Sequence, residues 1–429
     1  MQSSTVEGLK AGWTLGVHRL LLPAFVAAGL VACGPRVDDG AGGAAGEGPS
    51  AGQGGGGASA GGGGAGSSGG GGAAEMAPGD HVIGCAATAW PDAGLFFEPT
   101  LPGDGESPTR AEWLQSRMLA NGISGDGRTV AGQTSDPPYR EMAVSWSLAG
   151  GIVELPAVTM DDNGGGCCFE ARGIQASCDG SVILQQDAPF HEIYRTEGDQ
   201  APVVLYGAPY SSVVSMNPDA SIIVDGVGQQ GEFGGAPLRW TAATGMADVS
   251  GLFLEIVYGV APDGTLIAGN AEQLFEYDVA SGVRNPIGMA AVDFRPGGNQ
   301  PSIKVSANGE AWAQSADRHY DSFLVWRAGA EPRSVTCPGP CQLVDISGTG
   351  EVVLVDVTLE SVTSSSIWTQ RSGFIDLTTV FEQLGTNLAG RKLRAVAMSD
   401  DGRAVTGSSG PDVNSARFFY GVLPVSIYE

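Results

Sequence analysis

The sequence predicts an all-β fold, a seven-bladed β-propeller of four-stranded antiparallel sheets. Three observations lead there: a short phrase recurs seven times, its copies are spaced 40 to 53 residues apart, and an apolar run ending in an aromatic residue follows each copy. A repeat period in the forties is typical of a propeller or solenoid rather than of one irregular core. The copies occupy 123–127, 176–180, 216–220, 260–264, 305–309, 346–350 and 398–402.

Each copy has a small apolar approach, a turn on Asp-Gly or a close substitute, and a β-branched exit. Asp or Asn before Gly accepts the positive φ of a tight turn, so the phrase predicts a hairpin between the first two strands of a unit. The aromatic residue closes a third strand, and a glycine turn leads to a fourth. Because turn formation accounts for the Ser and Asp of the phrase, we interpret it as a folding device and not as a catalytic motif.

Seven such units fit a closed ring, which leaves no unpaired sheet at either end. Little chain follows the seventh unit. We therefore expect the segment 81–87 to add the last strand to the seventh sheet and so close the ring.

The first copy carries a family resemblance. Residues 122–132 read Gly-Ile-Ser-Gly-Asp-Gly-Arg-Thr-Val-Ala-Gly, and Ala-Val-Ser-Trp follows at 143–146. This combination resembles the HAF-type extracellular repeat of bacterial exported proteins, although the His-Ala-Phe tripeptide is absent and copies three, five and six replace part of the Asp-Gly. The resemblance covers 115–420 and implies an exported repeat domain. The Asp-box of sialidases is not reproduced, because Gly402 follows Asp401 directly.

The N-terminal residues 1–32 are predicted to be a lipoprotein signal peptide. Lys10 and Arg19 precede an apolar run over 20–32, which is too short to span a bilayer. Leu-Val-Ala-Cys at 30–33 resembles the lipobox of bacterial lipoproteins, which implies that Cys33 is the acylated first residue of the mature chain. Gly34 after it suggests the outer membrane, with the lipid anchor as the only attachment to the bilayer. The alternative is a plain secretory signal in which Cys33 is incidental.

The segment 33–78 is predicted to be a disordered tether. It consists mostly of Gly, Ala and Ser, which bury too little apolar surface to offset their conformational entropy. A Gly-x-Ser-x-Gly match at 66–70 lies inside it, without the strand and helix that a serine nucleophile requires. The repeat domain is therefore assigned to 79–429.

Cysteine usage indicates an oxidising compartment, since six cysteines remain beyond Cys33. Cys337 and Cys341 flank a Pro-Gly-Pro turn that brings their sulfurs together, so we predict a disulfide between them. A four-cysteine zinc site is the competing interpretation. The pairing of Cys85, Cys167, Cys168 and Cys178 stays open, and a bridge from Cys85 to Cys167 or Cys168 is one possibility.

The formal net charge is −25, and the sequence contains no cluster of Lys and Arg. A nucleic-acid-binding surface is therefore excluded, because it requires a basic patch. We attribute the acidity to solubility. Asp161, Asp162 and Asn163 stand beside a glycine run, a composition typical of ordinary loops, so no metal site and no cofactor is predicted.

The longer connections after the second strands are expected to gather on one face of the propeller. The segment 316–321 is the densest, and its Arg318, His319 and Tyr320 offer a planar cation, a titratable ring and a stacking surface for a ligand. The other interpretation is an exposed polar hairpin. Further polar and aromatic candidates in these and neighbouring loops are Tyr139, Arg140, Glu141, Asp187, His191, Phe233 and Asp412.

These observations favour a membrane-anchored, surface- or periplasm-exposed monomer that binds a protein or glycan ligand. The alternative is a hydrolase or lyase acting on extracellular polysaccharide, with loop carboxylates as acid and base. Beyond the signal peptide only His81, His191 and His319 occur, which is too few for a histidine-based triad or metal site. Carboxylates converging in the axial pocket would favour the enzyme.

Overall fold

The computed structural model describes residues 88–99, 107–136, 140–156, 171–187, 192–207, 214–225, 237–249, 251–252, 255–269, 273–289, 303–315, 320–410 and 416–429. The predicted signal peptide, the tether and the segment 81–87 lie outside the described residues.

The chain forms seven four-stranded antiparallel sheets arranged in a ring, as the repeat predicts. The first three sheets are β2 (Leu119–Ile123), β3 (Thr129–Asp136), β4 (Arg140–Ser147) and β5 (Gly151–Glu154); β6 (Ala171–Ala176), β7 (Val182–Asp187), β8 (Glu192–Glu197) and β9 (Val203–Gly207); and β10 (Val214–Met216), β11 (Ile222–Asp225), β12 (Leu238–Thr241) and β13 (Gly245–Asp248).

The next three sheets are β14 (Ile256–Val260), β15 (Leu266–Gly269), β16 (Gln273–Asp278) and β17 (Val283–Met289); β18 (Ile303–Val305), β19 (Ala311–Ser315), β20 (Ser322–Arg327) and β21 (Arg333–Thr336); and β22 (Cys341–Ile346), β23 (Val352–Leu359), β24 (Val362–Thr369) and β25 (Gly373–Asp376). The seventh contains β26 (Leu393–Met398), β27 (Ala404–Ser409) and β28 (Arg417–Val422). In the first six sheets the strands run from the axis outward in chain order, as β26, β27 and β28 do in the seventh.

An N-terminal strand closes the ring, but it is not the segment 81–87. The outermost strand of the seventh sheet is β1 (Leu95–Phe97), which pairs antiparallel with β28 from Leu95 opposite Val422 to Phe97 opposite Tyr420. Phe96 stacks on Phe419 at 5.8 Å between ring centroids, which fixes the added strand against the core. Leu95 and Phe97 also pack against the cluster of buried residues that includes Trp146, Phe418 and Tyr420.

Two short helices accompany the sheets. Helix α1 (Arg110–Ser116) begins with a capping box, in which the Thr109 hydroxyl accepts from the Glu112 amide and Glu112 accepts in return. Helix α2 (Leu377–Gln383) is N-capped by Asp376, the last residue of β25. A 3₁₀ helix spans Val425–Ile427. Neither described α-helix has the length and apolar character that a bilayer crossing requires.

The recurring phrase forms the turn between the first and second strand of each sheet. In the first copy the Ser124 hydroxyl accepts from the Thr129 amide at 2.9 Å, and Asp126 Oδ1 accepts from the Arg128 amide at 3.0 Å. The same serine contact recurs at Ser177, Ser306, Ser347 and Ser399. Asn217 replaces it in the third copy. These side chains therefore serve turn formation, as interpreted from the sequence.

The last glycine of the phrase has a second role that the sequence does not show. A Cβ on Gly350, which has a φ of +74°, would lie 2.1 Å from the Cβ of Ala311 in the preceding sheet. The turn thus packs its backbone directly on the neighbouring sheet, where a side chain would not fit. Comparable contacts with the preceding sheet occur at Gly127, Gly180, Gly264, Gly309 and Gly402.

Backbone hydrogen bonds also join successive turns around the ring. Five such bonds, each written with the amide donor first and the carbonyl acceptor second, are Asp400–Gly125, Asp126–Cys178, Cys178–Pro218, Asn308–Gly348 and Gly348–Asp400. The described residues show no such bond from the third and fourth copies, whose middle residues are Pro218 and Pro262. The middle residue is the donor in the second, sixth and seventh copies, and a proline there has no N–H to donate.

Candidate functional site

The inner strands of the seven sheets surround an axial channel, and bulges shape its wall. Five inner strands shift register at the same place, so that one extra residue stands opposite the second strand. A β-bulge re-aims side chains and is frequent beside functional sites. The extra residues are Asn121, Ile174, Tyr258, Val344 and Val396, and all but Tyr258 line the wide end of the channel.

The wide end is a cavity of about 320 Å³ formed by residues from six of the seven repeats. It lies where the inner strands begin, which is also where the second strands end and their connections leave the sheets. Aliphatic side chains provide one part of the wall: Ile123, Ile174, Val214, Val344 and Val396. An equal number of polar side chains, from four repeats, provides the other: Asn121, Gln175, Gln186, Lys304 and Asp345. Polar groups that converge beside apolar surface can orient a small ligand.

The narrow end is a cavity of about 140 Å³ to which all seven repeats contribute. It is enclosed by the recurring turns, and it shares Ile123, Gln175 and Asp345 with the wide end. The two cavities are therefore successive parts of one channel. Asp400, the middle residue of the seventh turn, faces the narrow part, and its carboxylate accepts no hydrogen bond from the described residues.

The two channel carboxylates differ in their surroundings. Burial raises the pKa of Asp345 above its ordinary value, although the charge of Lys304 and hydrogen bonds from the amides of Met398 and Ile346, both at 2.9 Å, offset part of this rise. Burial raises the pKa of Asp400 to about 7, and the negative charge of Asp345 adds to the effect. Asp400 therefore takes up a proton near neutral pH, whereas Asp345 is the better solvated by hydrogen bonds.

Lys304 is the cation of the wide end. It forms no ion pair with the described residues, although its charge reaches Asp345. It stands on β18, whose partner strand β19 leads directly into the connection 316–319. The lysine and the segment that the sequence singles out therefore belong to the same sheet.

The predicted disulfide between Cys337 and Cys341 is present, with their Cα atoms 6.2 Å apart. Its loop is joined to the preceding connection, because the Cys341 amide donates to the Tyr320 carbonyl at 2.6 Å and the Cys337 amide to the Asp321 carbonyl at 2.9 Å. Tyr320 adopts a φ of +56°, which a non-glycine residue holds only where the surroundings fix it. The bridge therefore braces one end of the segment 316–321.

Of the ligand residues predicted from sequence, Tyr320 is half-buried at the end of its loop, while Arg318 and His319 lie outside the described residues. Tyr139, His191, Phe233 and Asp412 also lie outside them, and Arg140 and Glu141 begin β4. Asp187 is buried, and it accepts from the Glu192 amide at 3.1 Å across the β7–β8 connection. This hydrogen bond stabilises the β7–β8 connection.

Sequence reasoning missed Lys304, Asp345 and Asp400, because the apolar pattern of an inner strand predicts only core residues and a β-bulge has no clear sequence signature.

The described cysteines argue against a four-cysteine zinc site. Cys178 is disulfide-bonded, as are Cys337 and Cys341, so none of the three is a free thiolate for zinc. Among the described residues, no three Asp, Glu, His or Cys side chains converge as a metal site would need. Cys33, Cys85, Cys167 and Cys168 lie outside the described residues.

No protein-family model and no curated protein matches this chain. Solved structures of similar fold include an oligogalacturonate lyase in complex with manganese, at 12% identity and a TM-score of 0.48 over 73% of this chain and 91% of that one. Another is the oligogalacturonate lyase of Vibrio parahaemolyticus, at 12% identity and a TM-score of 0.49 over 78% of this chain and 98% of that one. At this identity and overlap, the two likenesses carry no argument about activity.

Proposed function

We propose that this protein is a lipid-anchored binding module of the bacterial cell envelope, whose propeller takes up a ligand at the wide end of its axial channel. The observation that supports the site is the cavity of about 320 Å³, in which aliphatic bulge residues surround polar groups from separate repeats. The same end of the ring carries the connections after the second strands, including the loop braced by the Cys337–Cys341 bridge.

Lys304 is the group expected to fix the polar part of a ligand. It is the cation that lines this cavity, and the described residues leave it without an ion pair. The aliphatic wall would hold the apolar face of the same ligand, such as the carbon face of a sugar ring. A glycan with hydroxyl or acidic groups fits this division of the site.

A glycan array probed with the full chain tests the proposal. We expect a restricted set of glycans to be retained, and Lys304→Ala to weaken their binding by about tenfold, the loss of one well-placed polar contact. The matched control is Arg371→Ala, which removes an exposed cation from the turn between β24 and β25 on the opposite end of the sheets. Equal binding by the Lys304 and Arg371 variants would place the ligand elsewhere.

One observation favours the alternative, a polysaccharide hydrolase or lyase. Asp345 and Asp400 both line the channel, and the pKa of Asp400 is raised to about 7, as suits a carboxyl that exchanges a proton near neutral pH. This activity is measured by the release of new reducing ends or unsaturated products from extracellular polysaccharides. If the wild type cleaves a polymer and both Asp345→Asn and Asp400→Asn abolish the cleavage, the protein is an enzyme. If the polymer stays intact, the binding function is the one supported.

A further inference from the structure

We propose that the outer edge of the second sheet is a docking site for an extended, basic segment of another protein, which adds a strand beside β9. This surface is separate from the axial channel. An edge strand leaves alternate backbone N–H and C=O groups unpaired in its own sheet, and such a row can pair with a strand of another chain.

The outer strands of the other six sheets all carry a feature that discourages such pairing. Four of them contain a charged residue or a proline: Glu154 ends β5, Asp248 ends β13, Arg284 and Pro286 lie within β17, and Arg333 begins β21. Asp376 ends β25 and caps α2. The three residues of β1 are engaged with the core of the seventh sheet. Charges, prolines, short length and covering elements are the means by which proteins protect sheet edges.

Strand β9 itself contains neither a charged residue nor a proline, and Pro202 lies just outside it. Its residues are Val-Val-Leu-Tyr-Gly, and it is the last strand of its sheet. Val203 is 53% exposed and Val204 is 56% exposed, so both faces of the strand present apolar surface. The bulge against β8 falls at Leu205, beyond these two valines, which keep regular pairing with Arg195 and Tyr194. Val203 and Val204 therefore form a short, regularly paired, exposed apolar edge.

Acidic residues stand at both ends of this edge. Glu197 ends β8 and Asp199 lies in the turn that precedes β9, and Glu192 is opposite Gly207 at its other end. Arg195 is the nearby cation, and it is paired with Glu197 at 2.8 Å and lies over the ring of Trp240. The local excess of negative charge favours a basic partner.

The same charges argue against a second copy of this chain as the occupant. Pairing β9 with β9 of another copy would bring like acidic groups together at each end, in a chain whose formal net charge is −25. A basic strand meets complementary charge at both ends and an apolar row between them.

Two synthetic peptides test the proposal on the purified full chain, one of alternating lysine and valine and one of alternating glutamate and valine. We expect the lysine peptide to bind at least about tenfold more tightly, as opposite charges at both ends imply. It should also slow hydrogen exchange at the amides of β9. Equal binding of the two peptides, or protection at any other strand, would overturn the proposal.

Val204→Lys is the decisive variant, with Val283→Lys on β17 as its control, because Val283 is also 49% exposed on an outer strand. We expect Val204→Lys to reduce lysine-peptide binding about tenfold by like-charge repulsion, and Val283→Lys to leave it unchanged. Both side chains are exposed, so unchanged circular dichroism should accompany both variants. Sedimentation that shows a dimer dissociated by Val204→Lys would identify a second copy as the occupant and overturn the proposal.

Discussion

The backbone amide of Cys341 donates a hydrogen bond to the carbonyl oxygen of Tyr320 across 2.6 Å, and so connects the fifth sheet to the bridged loop that leads into the sixth. Thr358 continues the chain of contacts, since its amide donates to the Pro340 carbonyl at 2.8 Å. The loop 337–341 is therefore held on one side by the β19–β20 connection and on the other by the β23–β24 hairpin. The conformation of Tyr320 depends on this loop.

Removing the bridge should loosen the candidate loop while the ring stays folded. The Cys337→Ser, Cys341→Ser double variant gives up a disulfide that closes a short loop, worth about 2 kcal/mol. We expect hydrogen exchange at Tyr320 and Asp321 to accelerate, and exchange in β27 to change only in proportion to the global loss. Uniform acceleration throughout the chain would show that the bridge supports the whole fold and not this loop.

Gly350→Ala and Gly373→Ala should separate backbone strain from steric conflict. Both glycines have a positive φ, +74° and +71°, so each alanine should cost about 1 kcal/mol in conformation. A Cβ on Gly350 would also collide with Ala311, whereas nothing lies within 4 Å of one on Gly373. We expect Gly350→Ala to cost about 3 kcal/mol in total. Chemical denaturation measures both, and equal losses would mean that the sheets can separate locally at no cost.

The repeat phrase was sufficient to predict the sheet number, the strand number and the ring. A turn is a local property, and the side-chain contacts of Ser124 and Asp126 are those that their sequence neighbours imply. The closing strand was placed too early, because the composition of 81–87 and that of 95–97 both permit a short strand. Only the contacts of Phe96 with the distant Phe419 decide between them.

The channel could not be predicted in the same way. Lys304 and Asp345 come from different sheets, and their meeting depends on the bulges that set the register of each inner strand. A single extra residue, such as Val344, reverses the faces to which its neighbours point. Sequence reasoning directed attention to the long polar loops, where composition is conspicuous, and passed over polar residues inside apolar strands.

Glu98→Gln should weaken the closure of the ring. Glu98 follows β1 and forms a two-pronged ion pair with Arg391, one contact of which measures 2.8 Å, and both side chains are largely buried. Burial alone would raise the pKa of Glu98, but hydrogen bonds from Arg391 and Ser409 hold it below its ordinary value. We expect a loss of about 1 to 2 kcal/mol at pH 7.

The pH dependence of this loss distinguishes the ion pair from packing. A carboxyl with a lowered folded pKa stabilises above its unfolded pKa, and the contribution fades as pH falls through the folded value. The difference between wild type and Glu98→Gln should therefore shrink on acidification below about pH 4. Glu154→Gln, which removes an exposed partner of Arg110, serves as control and should cost less than about 0.5 kcal/mol.

Cys33→Ser tests the proposed lipid anchor. Acyl chains on this residue would be the only hydrophobic attachment of the protein, and several chains together hold a protein stably on a bilayer. We expect the wild type to sediment with membranes and the variant to appear in the soluble fraction. Cys178→Ser is a suitable control, since it removes a cysteine within the propeller. A Cys33 variant that still sediments with membranes would contradict the anchor.

Asp400→Asn should stabilise the protein at neutral and higher pH and have little effect in acid. Burial and the charge of Asp345 raise the pKa of Asp400 to about 7 in the folded chain, well above its value near 4 in the unfolded chain. Between these values the folded state binds the extra proton. Wild-type stability should therefore decline as pH rises from about 4 to 7, and the full cost of the buried charge should be present above that range. Asparagine cannot ionise, so the variant should be more stable by on the order of 2 kcal/mol at pH 8 and by little at pH 4. Thermal unfolding of both proteins across this range measures the difference, and a difference independent of pH would show that the carboxylate of Asp400 is well hydrated within the channel.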